Sequence, residues 1–206
     1  MKSCIILCGG DAVSSEVYNV TAPKEAYIIA ADSGLLLAND LGVCPQLIIG
    51  DFDSMKKPES DKIRVFPIEK DDTDLMLAVK EGLEQGCKDF YIYGATGGRL
   101  DHTFAAIQGL AFLLDNGAHG QIIADDTRIE LLLPARYELP SMHDFTLSLF
   151  DWSDTVSCLD IQGTKYSAKG ITLKSSFPLG VSNKVMEDSA IISFSEGILL
   201  VIRSRL

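Results

Sequence analysis

The chain has 206 residues, 47% of them hydrophobic and 23% charged, which is enough for one large domain or two small ones with real cores. A formal net charge of −11 excludes a general nucleic-acid-binding role, because that needs a basic face. Five cysteines, odd in number and without a C-x-x-C pair, point to a reduced, cytoplasmic protein and argue against a zinc site.

The first apolar run, near Cys4 to Cys8, reads as a strand that stops at Gly9-Gly10-Asp11. It is too short for a signal peptide or a membrane span. A second run, Tyr27-Ile28-Ile29-Ala30-Ala31, ends at Asp32-Ser33-Gly34. A helical stretch from Leu35 to Leu41 follows, with Gly42 as its C-terminal stop. The next run, Gln46-Leu47-Ile48-Ile49, leads into Gly50-Asp51-Phe52-Asp53-Ser54. Two carboxylates two residues apart after a buried strand are costly unless paired, and a hard divalent cation resolves that cost. Asp-rich turns are common, so a polar turn is the plain alternative for this motif taken alone.

A polar loop is expected over 55–63 and a short strand from Arg64 to Ile68. Then comes Lys70-Asp71-Asp72-Thr73-Asp74, where Asp72 or Thr73 suits the N-cap of a helix from about Leu75 to Gln85. Leu75, Met76, Val79 and Leu83 share one face of that helix. Capping does not require three aspartates in four residues, so at least one is available for chemistry. A strand from Phe90 to Tyr93 ends in Gly94-Ala95-Thr96-Gly97-Gly98-Arg99-Leu100-Asp101-His102. A long helix follows, with Phe104, Ile107, Ala111 and Leu114 on its expected buried face, and then a strand from Gln121 to Ala124. Gly-rich backbone running into a helix N-terminus is a phosphate cradle, and Arg99 adds a forked donor. Alternating strands and helices give an α/β domain with a mostly parallel sheet, whose ligands bind at strand C-terminal ends. All the flagged aspartates and glycines lie at or just beyond such ends.

Beyond a boundary near Asp125 to Arg128 the helical patterns stop. Phe145 to Leu149 alternates with period two, and Ile171 to Leu173, Ala190 to Phe194 and Ile198 to Ile202 are further short strands. This gives two domains, 1–126 and 127–206, the second a small all-β sandwich. There is no G-x-x-x-x-G-K-[ST] loop, G-x-S-x-G elbow or H-E-x-x-H helix, and His102, His119 and His143 are too dispersed for a zinc cluster. What remains is a carboxylate-rich site with a Gly/Arg phosphate loop, which fits Mg²⁺-dependent handling of a nucleotide polyphosphate.

The set Ala31-Asp32-Ser33-Gly34, Gly50-Asp51-Phe52-Asp53-Ser54, Lys70-Asp71-Asp72-Thr73-Asp74 and Gly97-Gly98-Arg99-Leu100-Asp101-His102 resembles the thiamine pyrophosphokinase family. Gly163-Thr164-Lys165-Tyr166 and Gly180-Val181-Ser182-Asn183 are similar to its two later motifs. The resemblance implies an N-terminal α/β domain that binds nucleotide and metal, and a C-terminal β-sandwich that binds thiamine and forms a homodimer. It implies transfer of pyrophosphate from ATP to the thiamine hydroxyl, giving thiamine diphosphate and AMP, with no part for nucleic acid or membrane. By position, Asp51, Asp53 and Asp74 match the Mg²⁺-binding carboxylates, with Asp32 and Asp101 further members of the acidic cluster. Arg99, Thr96 and Gly97 match the ATP phosphate loop, with Asp32 beside it. Ser182 and Asn183 match the thiamine-contacting motif, joined by Tyr166 and Asp74. Lys70 stands where some relatives carry Gln. Two other readings stay open on the residues alone: a phosphohydrolase with Asp51 as nucleophile, and a non-catalytic nucleotide or thiamine sensor.

Overall fold

The structure is a computed structural model that describes residues 1–50 and 72–206, together with the backbone of 63–65. Asp51, Asp53, Lys70 and most of the expected 55–63 loop lie outside the described residues. The chain divides into two compact units, Met1–Asp125 and Asp126–Leu206.

In the first unit, strands β1 (Lys2–Leu7), β2 (Tyr27–Ala31), β3 (Leu47–Gly50), β4 (Ile63–Val65), β5 (Cys87–Tyr93) and β6 (His119–Ile123) pair in parallel, in the order β4-β3-β2-β1-β5-β6. From β1 the chain steps outward through β2 and β3, then returns to the other flank of β1 with β5. That reversal between β1 and β5 is where an open α/β sheet leaves a crevice at its strand ends. Helices cover both faces. Helices α1 (Ser15–Thr21) and α2 (Gly34–Leu41) contribute Tyr18, Leu37 and Ala38 to a core with Ile5, Leu7, Tyr93 and Ile123. Helices α3 (Asp74–Glu84) and α4 (Leu100–Asp115) lie on the opposite face, where Gly82 abuts Cys4 and Phe90, and Gly120 abuts Leu110 and Leu113.

Most of the expected elements of this unit are present with ends shifted by a few residues, but α1 is not foreseen by the sequence pattern. It is seven residues long, with Ser14 as its N-cap. Asp125 accepts hydrogen bonds from the Ser14 N–H (2.8 Å) and Oγ (3.0 Å), so it ties this helix start to the end of the unit. Thr73, not Asp72, caps α3, its hydroxyl accepting from the Met76 N–H at 3.2 Å, whereas Asp72 pairs with Lys80 at 2.6 Å. The expected buried face of α4 needs two corrections, at Ala111, which is only half-buried, and at Phe104. Phe104 is 56% exposed, and the buried positions are Ala106, Ile107, Leu110, Leu113 and Leu114. The helix starts at Leu100, so its first turn stands beside the strand ends rather than over the sheet. Periodicity gives the face of a helix but not where that face leaves the core.

The second unit has no helix. Strands β7 (Thr127–Leu132), β9 (Phe145–Asp151), β12 (Gly180–Asn183) and β14 (Leu199–Arg205) pair antiparallel in the order β12-β9-β14-β7. Strands β8 (Arg136–Pro140), β10 (Thr155–Gln162), β11 (Ala168–Lys174) and β13 (Ser189–Ser193) pair antiparallel as β11-β10-β13-β8. One buried cluster draws side chains from both sets, among them Leu147, Leu149, Val201, Leu159, Ile161 and Ile192. Among the described residues no helix is long and apolar enough to cross a membrane.

Candidate active site

A cleft of about 600 Å³ opens at the crevice between β1 and β5. Its lining includes Asp32, Asp74, Thr96, Gly97, Arg99 and Asp101, six of the positions picked out from the sequence. Each is delivered by the end of a strand or the start of a helix. Asp32 follows β2, Asp74 opens α3, Thr96 and Gly97 follow β5, and Arg99 and Asp101 lie at the N-terminus of α4.

The strand ends are locked together by main-chain contact. Beyond β1, Gly10 N–H donates to the Gly94 carbonyl (2.7 Å) and Asp11 N–H to the Thr96 carbonyl (2.8 Å). A Cβ on Gly10 would sit 2.3 Å from Thr96 O, and one on Gly34 would sit 1.9 Å from Leu7 O. No side chain fits at either position without moving backbone. The glycines of these loops are therefore explained by close packing of the cleft floor as well as by any ligand.

Asp32 has φ 47°, the left-handed region that a non-glycine residue occupies at a cost. Its N–H donates to the Ile49 carbonyl at 2.6 Å. Its Oδ1 is buried and has no hydrogen-bond partner among the described residues. A buried carboxylate oxygen without a donor is unfavourable unless a cation or ligand donor meets it. Cys8 lines the same cleft; burial, with the Asp74 carboxylate nearby, pushes its thiol up to about 12. Cys8 is thus a neutral thiol at physiological pH and no nucleophile.

Main-chain direction favours an anion at the other side of the chemistry. Gly94, Gly97 and Gly98 all have positive φ, and the loop runs into α4, whose N-cap residue Arg99 makes no side-chain cap bond, although the Asp101 carboxylate takes the His102 N–H at 3.0 Å. A helix N-terminus following a glycine loop attracts phosphate. Arg99 and Asp101 are exposed and form a forked pair, Nε to Oδ1 at 3.1 Å and Nη2 to Oδ2 at 2.5 Å. The Arg99 guanidinium holds the Asp101 carboxyl below its usual range, helped by the His102 N–H. These two groups, expected in the phosphate loop and in the acidic cluster respectively, are bonded to each other here.

The remaining expected residues belong to the second unit. Tyr166 is 60% exposed, with Lys165 Nζ 5.2 Å from its ring centroid. Ser182 is exposed, has φ 58°, and donates its N–H to Ser148 Oγ at 3.0 Å. Asn183 is buried, and its carboxamide bonds to Thr164, Tyr166 and Lys184. Ser148 and Thr164 were not picked out as partners. Ser148 is a polar residue in the alternating stretch Phe145 to Leu149, on the face opposite Leu147 and Leu149, which is the one sequence sign of it. Among the described residues no group of three or more His, Cys, Asp or Glu side chains is placed to hold a metal by itself.

Residues 18–120 match the family described as thiamin pyrophosphokinase, catalytic domain. A thiamine pyrophosphokinase of Bacillus subtilis (strain 168) is 29% identical over 99% of both chains. The crystal structure of a thiamine pyrophosphokinase from Bacillus subtilis superposes with a TM-score of 0.90 at 27% identity, over 100% of each chain. That of a thiamin pyrophosphokinase from Geobacillus thermodenitrificans gives 0.84 at 28%, covering 100% of this chain and 98% of its own.

Proposed function

The chain belongs to the thiamin pyrophosphokinase family, and from that premise we propose that it transfers a pyrophosphoryl group from ATP to the hydroxyl of thiamine. The products are thiamine diphosphate and AMP. One observation carries the assignment of the site: Asp32, with a buried oxygen that has no partner among the described residues, lines the same cleft as Asp74 and the glycine loop that opens α4. That combination suits a cation-bridged polyphosphate and little else.

In this reading the first unit is the α/β catalytic domain and the second a β-sandwich that supplies thiamine recognition. The residue chemistry fits Mg²⁺, since hard cations take carboxylate oxygens and Asp32 offers one that meets no donor among the described residues. Asp51, Asp53 and Asp74 would hold the ion, with Asp32 beside it. When bound it neutralises charge that develops on the phosphate oxygens. The loop from Thr96 to Arg99 and the N-terminus of α4 orient the triphosphate so that the thiamine hydroxyl meets the β-phosphorus in line with the departing AMP. Asp74 or Asp101 takes the hydroxyl proton. The acidic lining also tolerates the cationic thiazolium, and Tyr166, with Ser182 and Asn183, forms the thiamine-recognition corner of the second unit. Exposed Leu179 and Val181, beside and within the edge strand β12, support a homodimer, since apolar side chains exposed at a sheet edge are a common interface. All five cysteines are free thiols, which supports a cytoplasmic setting.

Incubating the purified protein with Mg-ATP and thiamine, then separating the nucleotides, tests the reaction. AMP and thiamine diphosphate are expected. ADP with thiamine monophosphate, or no thiamine-dependent product, overturns the assignment, and a trapped phospho-aspartate would point to a phosphohydrolase instead. Asp51→Asn and Asp53→Asn are each expected to lower turnover at least about a hundredfold with an unchanged melting temperature. Full activity in either variant removes that residue from the metal site.

A further inference from the structure

Strand β12 carries an irregularity that turns one side chain inward. Its pairing with β9 shifts register between Gly180 and Asn183, and Ser182 within the shift has φ 58°. Asn183 is consequently 6% exposed although its neighbours Ser182 and Lys184 are exposed. Past this point the chain forms a second, short ladder. Lys165 N–H donates to the Lys184 carbonyl (2.8 Å), Met186 N–H to the Gly163 carbonyl (2.8 Å), and Thr164 bridges Val185.

The Asn183 side chain extends that ladder by one rung. Its Oδ1 accepts from the Tyr166 N–H (3.0 Å) and the Lys184 N–H (2.9 Å). Its Nδ2 donates to the Tyr166 carbonyl (2.9 Å) and to Thr164 Oγ1 (3.2 Å). A carboxamide has two acceptor sites and two N–H groups, so all four are spent on protein. Both main-chain groups of Tyr166 are held by this one side chain, as a neighbouring strand would hold them. A carboxamide sets an acceptor and a donor side by side in one plane, as a peptide group does, and that explains the residue type better than contact with a ligand does.

We propose that Asn183 is a positioning residue for thiamine: its carboxamide fixes the main chain of Tyr166, and so presents the Tyr166 ring, without itself touching the substrate. The proposal rests on Tyr166 facing thiamine. It also reassigns Asn183, which the sequence motif alone placed in contact with thiamine.

A double-mutant cycle on the full chain decides it, with KM measured separately for thiamine and ATP. Asn183→Ala is expected to raise the thiamine KM about tenfold and to leave kcat and the ATP KM within about threefold. Tyr166→Ala should do the same, and the double variant should be no worse than Tyr166→Ala within about twofold. Additive losses would show that Asn183 binds thiamine directly and would overturn the proposal, as would an Asn183→Ala enzyme with an unchanged thiamine KM. If Tyr166→Ala is itself silent, the failure lies with the thiamine-facing role of Tyr166. Asn183→Asp guards against misfolding, because it keeps the size and the acceptor while losing both donors. Asn183→Asp should therefore keep the Tyr166 N–H protected while still raising the thiamine KM, whereas Asn183→Ala, which removes the acceptor, should exchange the Tyr166 amide faster without any substrate; unchanged exchange at Tyr166 in Asn183→Ala would also overturn the proposal.

Discussion

Asp32→Asn is expected to lower turnover at least about a hundredfold, the scale of losing one preorganised electrostatic contact, while the protein without nucleotide keeps or gains stability. Most substitutions of a buried polar residue weaken a fold. Asp32 differs because its Oδ1 is buried with no partner among the described residues. That oxygen therefore carries a desolvation cost that no hydrogen bond to it from the described residues offsets. Asparagine has the same shape and tolerates the left-handed backbone as well as aspartate does, so φ 47° adds no new strain. Thermal melts with and without Mg-ATP separate the two roles. The variant should melt at or above the parent alone and should lose much of the shift that Mg-ATP gives the parent. A variant destabilised by more than about 1 kcal/mol without ligand would show instead that the carboxylate is structural.

Gly34→Ala is expected to lose roughly 3 kcal/mol or more of folding stability, the upper end for overpacking in a rigid site. The added methyl would lie 1.9 Å from the Leu7 carbonyl oxygen, 2.4 Å from its carbon and 2.9 Å from Cys8 N. All three are backbone atoms at the end of β1, the strand between β2 and β5, so none can rotate away. Relief requires α2 to move off the sheet, which would also pull Asp32 and Ser33 from the cleft. Urea unfolding reads the stability, and Mg-ATP binding to whatever fraction folds reads the displacement. A loss under about 1 kcal/mol would mean that α2 shifts freely.

Apart from β4, which is Ile63-Arg64-Val65, the parallel strands of the first unit were legible because they are apolar runs with Gly or Asp close after them. The strand ends then gathered Asp32, Asp74, Thr96, Gly97, Arg99 and Asp101 as the crossover rule requires. Strand β10 was not legible, and its residues show why. Val156, Leu159 and Ile161 are buried, but the first two are three apart because Cys158, at φ 55°, adds a bulge that breaks the period of two. Strand β12 hid for the same reason at Ser182, and β8 because it carries Pro140. The Arg99–Asp101 pair was equally hidden, because sequence spacing places both groups at one helix start without saying that they bond. Likewise the direction of the Asn183 side chain follows from a bulge that no residue type announces.

The central place of β1 has a bearing on how the enzyme is made. The cleft needs Gly9 and Gly10 from the beginning of the chain, and Thr96 to Asp101 from nearly a hundred residues later. A chain emerging from the ribosome can pair β1 with β2 early, but β5 arrives only after β3, β4 and α3 have been made. Closing that long loop is slow and entropically costly. Until it closes the cleft beside β1 is incomplete, and a ligand that needs both of its sides cannot stabilise the nascent chain. The apolar edge of β1 is then open to wrong partners. Synthesis of this enzyme should therefore depend on chaperones that cover that edge rather than on the cell's supply of ATP as a ligand.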